Sequence, residues 1–455
     1  MLTTKSNIAT PLRDRFPGAI TLPGDHDWDT ARATFNPLVD QNPEVVARPR
    51  NAAEAAQIVA AARDAGLQIA PQGSGHNARP LGSLEGTMVI RLDRMPGVSV
   101  DAEDQIARVE AGARWWDIVP LAAEHGLSAL HGSSPEINVV GYTLGGGMGW
   151  QARKRGLQAN SVTAVELITA DGQERRVDAD NEPELFWALR GGGGNFGLVT
   201  AIEFRLYPLK DVYAGSFFFD YERSGEIFHA WREWTKQVPE EATTAVRMLQ
   251  FPPLEEVPEV VRGKSFAVVG AALLTDEDDG FELTRPLRAL GAQMDTFGMV
   301  PAPALTELHM DPVEPVPYES ASAMLGDLPA KAIDDLVEAV GPGTNSMLTG
   351  VELRHAGGAL SREPVGAGAM SKLRSDYLGF AFGAVPAPEL QPVIQGQLEA
   401  VKLAFAEYDS GDRYFNFAEE RVDVETLYPE GAVERLRKIR AEYDPDGLFR
   451  ANHAL

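Results

Sequence analysis

A glycine-rich loop with a single histidine, residues 71–81, constrains the fold of this chain most. It reads PQGSGHNARPL. Gly73 and Gly75 allow the backbone to take positive φ and approach a ligand closely, and their amide groups can form an anion-binding nest. His76 stands at the edge of that nest. A glycine turn with a structural histidine explains these residues alone equally well, because most isolated histidines are structural.

The segments around this loop predict a small α/β unit over residues 40–100. Asn51 and Glu54 are N-cap and capping-box residues of a predicted helix that Gly66 ends. Short apolar strands are predicted at 67–70 and 88–93, on either side of the loop. The loop therefore directly follows a short predicted strand.

Two further glycine clusters follow, at residues 131–150 and 190–197. Apolar residues run through the first of them, which favours a backbone cradle for a large ligand over a flexible loop. The second contains G-x-G-x-x-G, but a predicted helix precedes it and a predicted strand follows it. A Rossmann dinucleotide site needs the opposite order, so we exclude that fold.

Composition excludes several classes of partner. The net charge of −25 argues against nucleic acid and against anionic membranes as partners. The sequence has no cysteine, which excludes disulfides and thiolate metal sites, and the acidic run 276–279 lacks calcium-ligand spacing. We therefore predict no metal site. No secretory signal or membrane span is recognised, so a cytoplasmic protein is expected.

The second half of the chain has a different pattern. Predicted strands at 213–221, 246–251, 266–274, 347–355 and 377–385 alternate with predicted helices at 222–237, 281–292, 329–340 and 388–407. This pattern favours a sheet with helices on one face and an open face over a pocket. At the C-terminus we predict a short strand at 414–417, a helix at 431–442 and a turn at 444–447.

Taken in order, the glycine blocks and the tail resemble the berberine bridge enzyme-like oxidases of the vanillyl-alcohol oxidase superfamily. The resemblance implies an α+β fold: a two-part PCMH-type FAD-binding domain, and a substrate domain whose antiparallel sheet is covered by helices on one face. The implied boundaries are 1–208 for the FAD domain, 209–410 for the substrate domain, and 411–455 for a segment that returns to the FAD domain.

The resemblance also implies the cofactor and its contacts. His76 falls on the histidine that is bonded to the 8α-methyl group of FAD, and Gln72 replaces the family's usual arginine. Ser134 stands where relatives carry a second, cysteinyl link, so a single covalent link is expected. The implied FAD contacts are Gln72, Gly73, Ser74, Gly75, His76, Asn77, Leu81, Ser134, Pro135, Val139, Gly141, Leu144, Gly145, Gly146, Gly147, Gly149, Trp150, Asn160, Gly194, Gly197, Val199, Tyr414, Asn416 and Asn452.

The implied activity is removal of a hydride from a C–H next to an alcohol, sugar hydroxyl or amine of a small-molecule substrate, with molecular oxygen as electron acceptor and hydrogen peroxide as product. Val139 matches a small residue that in relatives leaves space beside the flavin ring. A dehydrogenase that uses another acceptor, or a flavin-binding protein without turnover, is the alternative.

The proton acceptor departs from the family pattern. Many relatives use the second tyrosine of a Y-x-N-Y motif, and here that position is Phe417. Alternation along the strand 350–355 places Glu352 and Arg354 on one face. We predict Glu352, or else His355, as the base and Arg354 as a substrate ligand. A solvent-facing edge or a local ion pair explains these three residues equally well.

Overall fold

The N-terminal part of the chain begins with a four-stranded sheet. The structure, a computed structural model, describes residues 6–455, so the first five residues of the predicted domain 1–208 lie outside the described residues. The first elements are α1 Ser6–Arg15, β1 Ile20–Thr21, α2 Trp28–Arg32, β2 Val45–Ala47, α3 Ala52–Asp64, β3 Gln68–Pro71 and β4 Thr87–Ile90. The strand order is β1-β2-β4-β3, and β2, β4 and β3 are parallel. As predicted, the Asn51 side chain caps α3 by accepting the Glu54 N–H at 2.9 Å.

A second, antiparallel sheet of five strands follows. Its region comprises β5 Val98–Asp101, β6 Ile106–Glu110, α4 Trp115–Ala123, β7 Leu127–Ser128, α5 Val139–Leu144, α6 Ala152–Arg155, β8 Val162–Ile168, β9 Glu174–Asp178, α7 Pro183–Leu189, β10 Leu198–Arg205 and β11 Tyr207–Pro208. The strand order is β5-β6-β10-β8-β9, and β7 pairs separately with β11. The helix α7 precedes the third glycine block and β10 follows it, which confirms the order that excluded a Rossmann site.

The second half of the chain forms one eight-stranded antiparallel sheet. Its elements are β12 Asp211–Asp220, α8 Ser224–Thr235, β13 Ala242–Gln250, β14 Ser265–Leu273, α9 Glu277–Arg288, β15 Met294–Asp295, β16 Gly298–Pro301, β17 Tyr318–Leu325, α10 Ala330–Val340, β18 Gly350–His355, β19 Tyr377–Ala384 and α11 Gln391–Phe405. The order is β15-β12-β14-β13-β18-β19-β17, and β16 pairs with β12 beside β15. The sequence predicted five of these strands and missed β15, β16 and β17.

The helices α8, α10 and α11 pack against one face of this sheet, as the sequence predicts. Trp231 of α8, Leu336 of α10 and Leu398 of α11 belong to one apolar core with Val351 and Leu353 of β18. Because side chains alternate along a strand, the residues between these two point to the opposite face. That face turns toward the N-terminal sheets, and the cleft between them contains the candidate site.

The last segment returns to the N-terminal part. The helix α12, Ala432–Tyr443, is followed by the predicted turn, in which the Gly447 N–H donates to the Asp444 carbonyl at 3.2 Å. Phe449 then forms a parallel bridge with Ile69 of β3. The predicted strand at 414–417 is wrong: Phe415–Phe417 is a 3-10 turn, because the Phe417 N–H donates to the Tyr414 carbonyl at 2.9 Å. The three predicted domain boundaries stay a prediction.

Arg153 ties α6 to the sheet domain. Its side chain is 6% exposed and donates to three backbone carbonyls, those of Ala356 at 2.7 Å, Pro239 at 2.9 Å and Ala242 at 2.6 Å. Its neighbour Lys154 forms more exposed ion pairs, with Glu240 and Glu241. The buried arginine therefore contributes much more to the domain interface than the lysine next to it.

We expect Arg153→Met to destabilise the protein by about 2–4 kcal/mol, because buried carbonyls that lose a charged donor are costly. Lys154→Met should cost less than about 1 kcal/mol, because exposed ion pairs contribute little. Differential scanning calorimetry of both variants measures the difference. Equal shifts in melting temperature would contradict a special role for Arg153.

Candidate functional site

The first glycine loop holds His76 between three neighbouring side chains. Gly75 has φ +81° and lies against Thr34, where an added Cβ would come within 3.1 Å of the Thr34 Cα. The His76 ring stacks on Phe35 with a centroid distance of 3.7 Å. Its Nδ1 lies 3.0 Å from the Ser74 hydroxyl, and its Nε2 lies 3.3 Å from a carboxylate oxygen of Glu136. The ring is thus fixed on both edges, while a quarter of the side chain stays exposed.

Other predicted residues of this loop hold it in place. Gln72 is buried and donates to the Gln41 side chain at 3.0 Å. Asn77 donates to the Phe415 carbonyl at 3.0 Å, and the Leu81 carbonyl accepts from Arg450 at 2.9 Å. Gly73 packs on Asn138, and a Cβ there would lie 2.7 Å from that side chain. The loop is therefore joined to the second glycine block and to the C-terminal segment.

The second glycine block turns around α5. Asn138 caps this helix by accepting the Gly141 N–H at 2.8 Å, and Val139, fully buried, is the first helical residue. Leu144 ends the helix, and Gly145 follows it as the C-cap residue. Gly146 and Gly147 then have φ of +108° and +79°.

Contacts within the protein itself explain several of these glycines. A Cβ on Gly145 would lie 1.8 Å from Asn416 Oδ1, and a Cβ on Gly149 would lie 1.8 Å from the His131 carbonyl oxygen. A Cβ on Gly147 would lie 2.4 Å from the Tyr142 ring. Close packing of the chain thus requires glycine at these three positions, and their contact with FAD stays a prediction.

The third block has both packed and open positions. Gly197 has φ +156°, and a Cβ there would lie 2.6 Å from the Ile168 carbonyl oxygen. By contrast, a Cβ on Gly194 would have no heavy atom within 4 Å among residues 6–455, apart from Gly194 itself and its two chain neighbours. Val199 is buried within β10. Gly194 is therefore the position in this block where space remains for a ligand.

Two predicted asparagines have different surroundings. Asn160 donates to the Ser371 carbonyl at 3.0 Å and accepts the Gly368 N–H at 3.2 Å. Asn452 lies half-buried in the C-terminal tail, beside His453. The tail is held by Asn195 of the third block, whose amide donates to the His453 carbonyl at 3.1 Å. The tail therefore closes over the third glycine block.

Ser134 contacts the other side of the cleft. Its hydroxyl donates to Asp311 at 2.7 Å, and the Ser133 hydroxyl donates to the same oxygen at 2.9 Å. The Pro135 carbonyl accepts the Trp116 N–H and so connects this segment to α4. Trp150 is buried, with its ring centroid 5.6 Å from that of His309. The position of the family's cysteine is thus linked to the loop that carries Asp311 and His309.

Glu352 and Arg354 form an ion pair on the open face of the sheet, beside that loop. His309 lies between two carboxylates, with Nδ1 3.1 Å from Asp311 and Nε2 3.3 Å from Glu352. Burial raises the pKa of Glu352, but the charges of Arg354, His309 and Arg247 outweigh burial and lower that pKa to about 2. Such a strongly stabilised carboxylate is a weak base.

His355 does not join this cluster. It belongs to the face of β18 that packs on the helices, where its ring stacks on Tyr377 with a centroid distance of 5.3 Å. Burial, together with the nearby charge of Arg153, lowers the pKa of His355 to about 3. The structure therefore separates the second predicted base from the first, since neighbouring residues of a strand point to opposite faces.

The segment 414–417 lies between the glycine loops and the sheet. Asn416 donates to the Tyr142 carbonyl at 3.0 Å, and Tyr414 is buried with its pKa raised by burial. The Phe417 ring stacks on Phe380 at 4.9 Å between centroids, and the Arg354 guanidinium lies 4.9 Å from its centre. The residue that replaces the expected tyrosine thus forms an apolar wall of the cleft.

A carboxyl next to this wall was not predicted from the sequence. Glu419, two residues after Phe417, accepts from the Tyr318 hydroxyl at 2.9 Å and from the Ser320 hydroxyl at 2.7 Å. Burial raises the pKa of Glu419, although these hydrogen bonds and Arg79 oppose that rise. Both hydroxyls belong to β17, which the sequence did not predict. Glu136, His309 and Asp311 were missed as well, because each lies in an irregular segment without a periodic pattern.

The surroundings of the glycine loops fit an FAD. Three buried polar atoms there, Asn77 Oδ1, Glu136 Oε2 and His131 Nε2, have no hydrogen-bond partner among residues 6–455. Positive-φ glycines and the open side of Gly194 provide backbone N–H groups and space.

Among residues 6–455, no helix has both the length and the apolar composition that a membrane span requires.

Comparison with known proteins agrees with this arrangement. Two family models match: "FAD binding domain" over residues 43–178 and "Berberine and berberine like" over residues 413–455. The chain is 26% identical over 465 residues to the uncharacterized FAD-linked oxidoreductase YgaK of Bacillus subtilis (strain 168), covering 97% of this chain and 98% of that protein. It is also 26% identical over 465 residues to xylooligosaccharide oxidase of Thermothelomyces thermophilus, covering 94% and 90%.

A solved structure shows the same fold. The crystal structure of 6-hydroxy-D-nicotine oxidase from Arthrobacter nicotinovorans superposes with a TM-score of 0.81 at 25% identity. The match covers 97% of this chain and 98% of that one. Both the predicted fold class and the predicted antiparallel substrate-domain sheet are thereby confirmed.

We expect Gly194→Val to weaken FAD binding at least about 10-fold, while the flavin-free protein keeps its melting temperature, because the new side chain meets open space. Gly396→Val is the matched control, since a Cβ on that exposed glycine of α11 also meets no heavy atom within residues 6–455. FAD content per chain and fluorescence titration of flavin-free protein measure the effect. Equal FAD affinity in both variants would contradict a contact at Gly194.

Proposed function

This chain belongs to the berberine bridge enzyme-like FAD-linked oxidoreductases, and we propose that it is an oxidase for a small-molecule alcohol, sugar or amine. It would remove a hydride from a C–H next to the oxygen or nitrogen and pass the electrons to molecular oxygen, giving hydrogen peroxide. The observation that carries this proposal is the position of His76. Its imidazole stands at the edge of the glycine loop between Ser74 and Glu136, with a quarter of the side chain exposed.

We infer that His76 carries FAD covalently through the 8α carbon and that this is the single link. The ring is immobilised by Phe35, Ser74 and Glu136, so a reactive nitrogen is held in one place. The sequence has no cysteine, and the hydroxyl of Ser134 is engaged with Asp311. A second link of the cysteinyl type is therefore excluded by composition.

FAD, when bound, supplies the two-electron acceptor for the reaction. The residues of the chain then bind and orient the substrate. Arg354 offers a cation next to the apolar Phe417 ring, and His309 lies beside Trp150 at the same end of the cleft. A substrate with one apolar side and one polar group suits this combination.

Two carboxyls compete for the role of proton acceptor. Glu352, the sequence prediction, is held as an anion by Arg354 and His309, with its pKa near 2. The pKa of Glu419 is raised by burial, and its carboxyl receives hydrogen bonds from two hydroxyls that can pass a proton on. An acceptor is most effective when its pKa approaches the working pH. We therefore propose Glu419, through Tyr318, as the acceptor and Glu352 as a positioning group for Arg354.

We propose the substrate class from the names of the relatives. One relative is named for xylooligosaccharides and another for a nicotine derivative. Oxygen as acceptor rests on the match of Val139 to the small residue of oxidases, and Val139 is fully buried at the start of α5. A dehydrogenase with another acceptor is the alternative, and so is a flavin-binding protein without turnover.

We expect the purified protein to retain yellow flavin in the pellet after acid precipitation and to give a fluorescent band on a denaturing gel. In His76→Ala the flavin should move to the supernatant. The protein should be bleached without air by xylobiose, 6-hydroxy-D-nicotine or a secondary alcohol, and should regain its colour in air with one peroxide per substrate. Reduced flavin that persists for minutes in air would indicate a dehydrogenase. The absence of bleaching by all probes would contradict an oxidase.

We expect Glu419→Gln to slow anaerobic flavin reduction by about 10²–10⁴-fold, as loss of a general base does. A base acts only when unprotonated, so the unmutated rate should fall as the pH drops through the raised pKa of Glu419. Charged neighbours at that carboxyl are Arg79 and Glu319, and Tyr318 contacts it directly. Glu419→Gln should remove this fall in rate at low pH, while Glu352→Gln should keep it. If Glu352→Gln alone removes the fall in rate at low pH, Glu352 is the base, as predicted from the sequence.

A further inference from the structure

We propose that Glu136 is the positioning residue that prepares His76 for covalent attachment of FAD. It holds the proton on Nε2 of His76 and receives that proton when Nδ1 bonds to the 8α carbon. This inference rests on the proposed covalent link and adds a residue that acts on it.

The contact is isolated and buried. Glu136 is 2% exposed, with Oε1 3.3 Å from His76 Nε2, while its other carboxylate oxygen has no hydrogen-bond partner within residues 6–455. A buried carboxylate is costly unless a donor faces it. His76 Nε2, at this ion-pair distance from Oε1, is a potential donor to Glu136. The contact between His76 and Glu136 is therefore favourable only if Nε2 of His76 carries a hydrogen.

Main-chain hydrogen bonds hold Glu136 rigidly. On one side of it the Pro135 carbonyl accepts the Trp116 N–H at 3.0 Å, and on the other the Ile137 carbonyl accepts the Trp115 N–H at 3.2 Å. Both donors belong to the first turn of α4, where N–H groups have no partner within the helix. The carboxylate thus reaches the imidazole from a fixed piece of backbone.

This geometry selects one tautomer of the imidazole. A neutral histidine has one N–H and one nitrogen lone pair, and the carboxylate requires the N–H at Nε2. The lone pair then lies on Nδ1, whose neighbour at 3.0 Å is the Ser74 hydroxyl. A hydroxyl can donate to that lone pair or rotate away from it. Nδ1 is therefore the nucleophilic nitrogen, and the stacked Phe35 ring keeps it directed to one place.

The chemistry balances with dioxygen as the oxidant. A C–H bond of the 8α-methyl group breaks, its proton leaves, and a bond forms between Nδ1 and that carbon. The Nε2 proton passes to the carboxylate of Glu136, so the imidazole ends neutral. The two electrons of the broken C–H bond, together with the two protons, reduce one dioxygen to hydrogen peroxide. One peroxide is therefore released for each link formed.

The test compares Glu136→Gln with unmutated protein, both produced flavin-free by riboflavin limitation and then mixed with FAD in air. Unmutated protein should form the link with one peroxide per chain. Glu136→Gln should bind FAD with unchanged affinity but form the link about 10²-fold more slowly, in line with the loss of proton transfer. Glu136→Asp should restore part of the rate. Covalent flavin is measured as the acid-precipitated fraction over time.

Glu319→Gln is the matched control. Glu319 is also a buried carboxylate, and it contacts Arg79 of the same loop at 2.8 Å, so its loss tests whether any nearby carboxylate matters. It should link FAD at the unmutated rate. Linkage at that rate in Glu136→Gln, or loss of FAD affinity together with linkage, would overturn the proposal. Absence of covalent flavin in the unmutated protein would instead overturn the covalent link itself.

Discussion

The contacts of residues 414–419 are the constraint on which the cleft depends. Asn77 of the first glycine block donates to the Phe415 carbonyl, and Asn416 donates to the Tyr142 carbonyl of the second block. These two hydrogen bonds join both glycine blocks to the segment. On the other side, the Ser322 hydroxyl of β17 donates to the Phe417 carbonyl at 2.8 Å. Both walls of the cleft are therefore positioned by one short stretch of chain. A shift in this stretch would change the relation of the glycine loops to the sheet.

This constraint also explains why so many glycines crowd around the segment. Gly145 lies directly against Asn416, and Gly193 lies against Phe415, where a Cβ would come within 2.6 Å of the ring. Any side chain at these positions would displace the segment, and with it the Phe417 wall. Part of the glycine content thus supports the tertiary structure, whereas Gly194, with open space beside it, is available to a ligand.

Charge inside the cleft differs from charge on the molecule as a whole. The chain has a net charge of −25, yet two arginines, Arg247 and Arg354, are placed with His309 beside Glu352 and Asp311. Buried charges need partners, so these five groups stabilise one another. The resulting local charge balance around Arg354 differs from the outer surface, which would repel an anion.

The sequence by itself determined the main elements, the excluded folds and the loop that carries His76. Caps, glycine positions and alternation are local signals, and α3, α7 and β18 follow them. Tertiary structure alone decided which polar groups meet. Glu136 reaches His76 from 60 residues further along the chain, and Glu419 meets Tyr318 from 101 residues away. Only the packing of the two sheets against the 414–419 segment brings such groups within hydrogen-bond distance. Residue spacing along the chain carries no information about that packing, because side chains that meet across sheets share neither a helical nor a strand period.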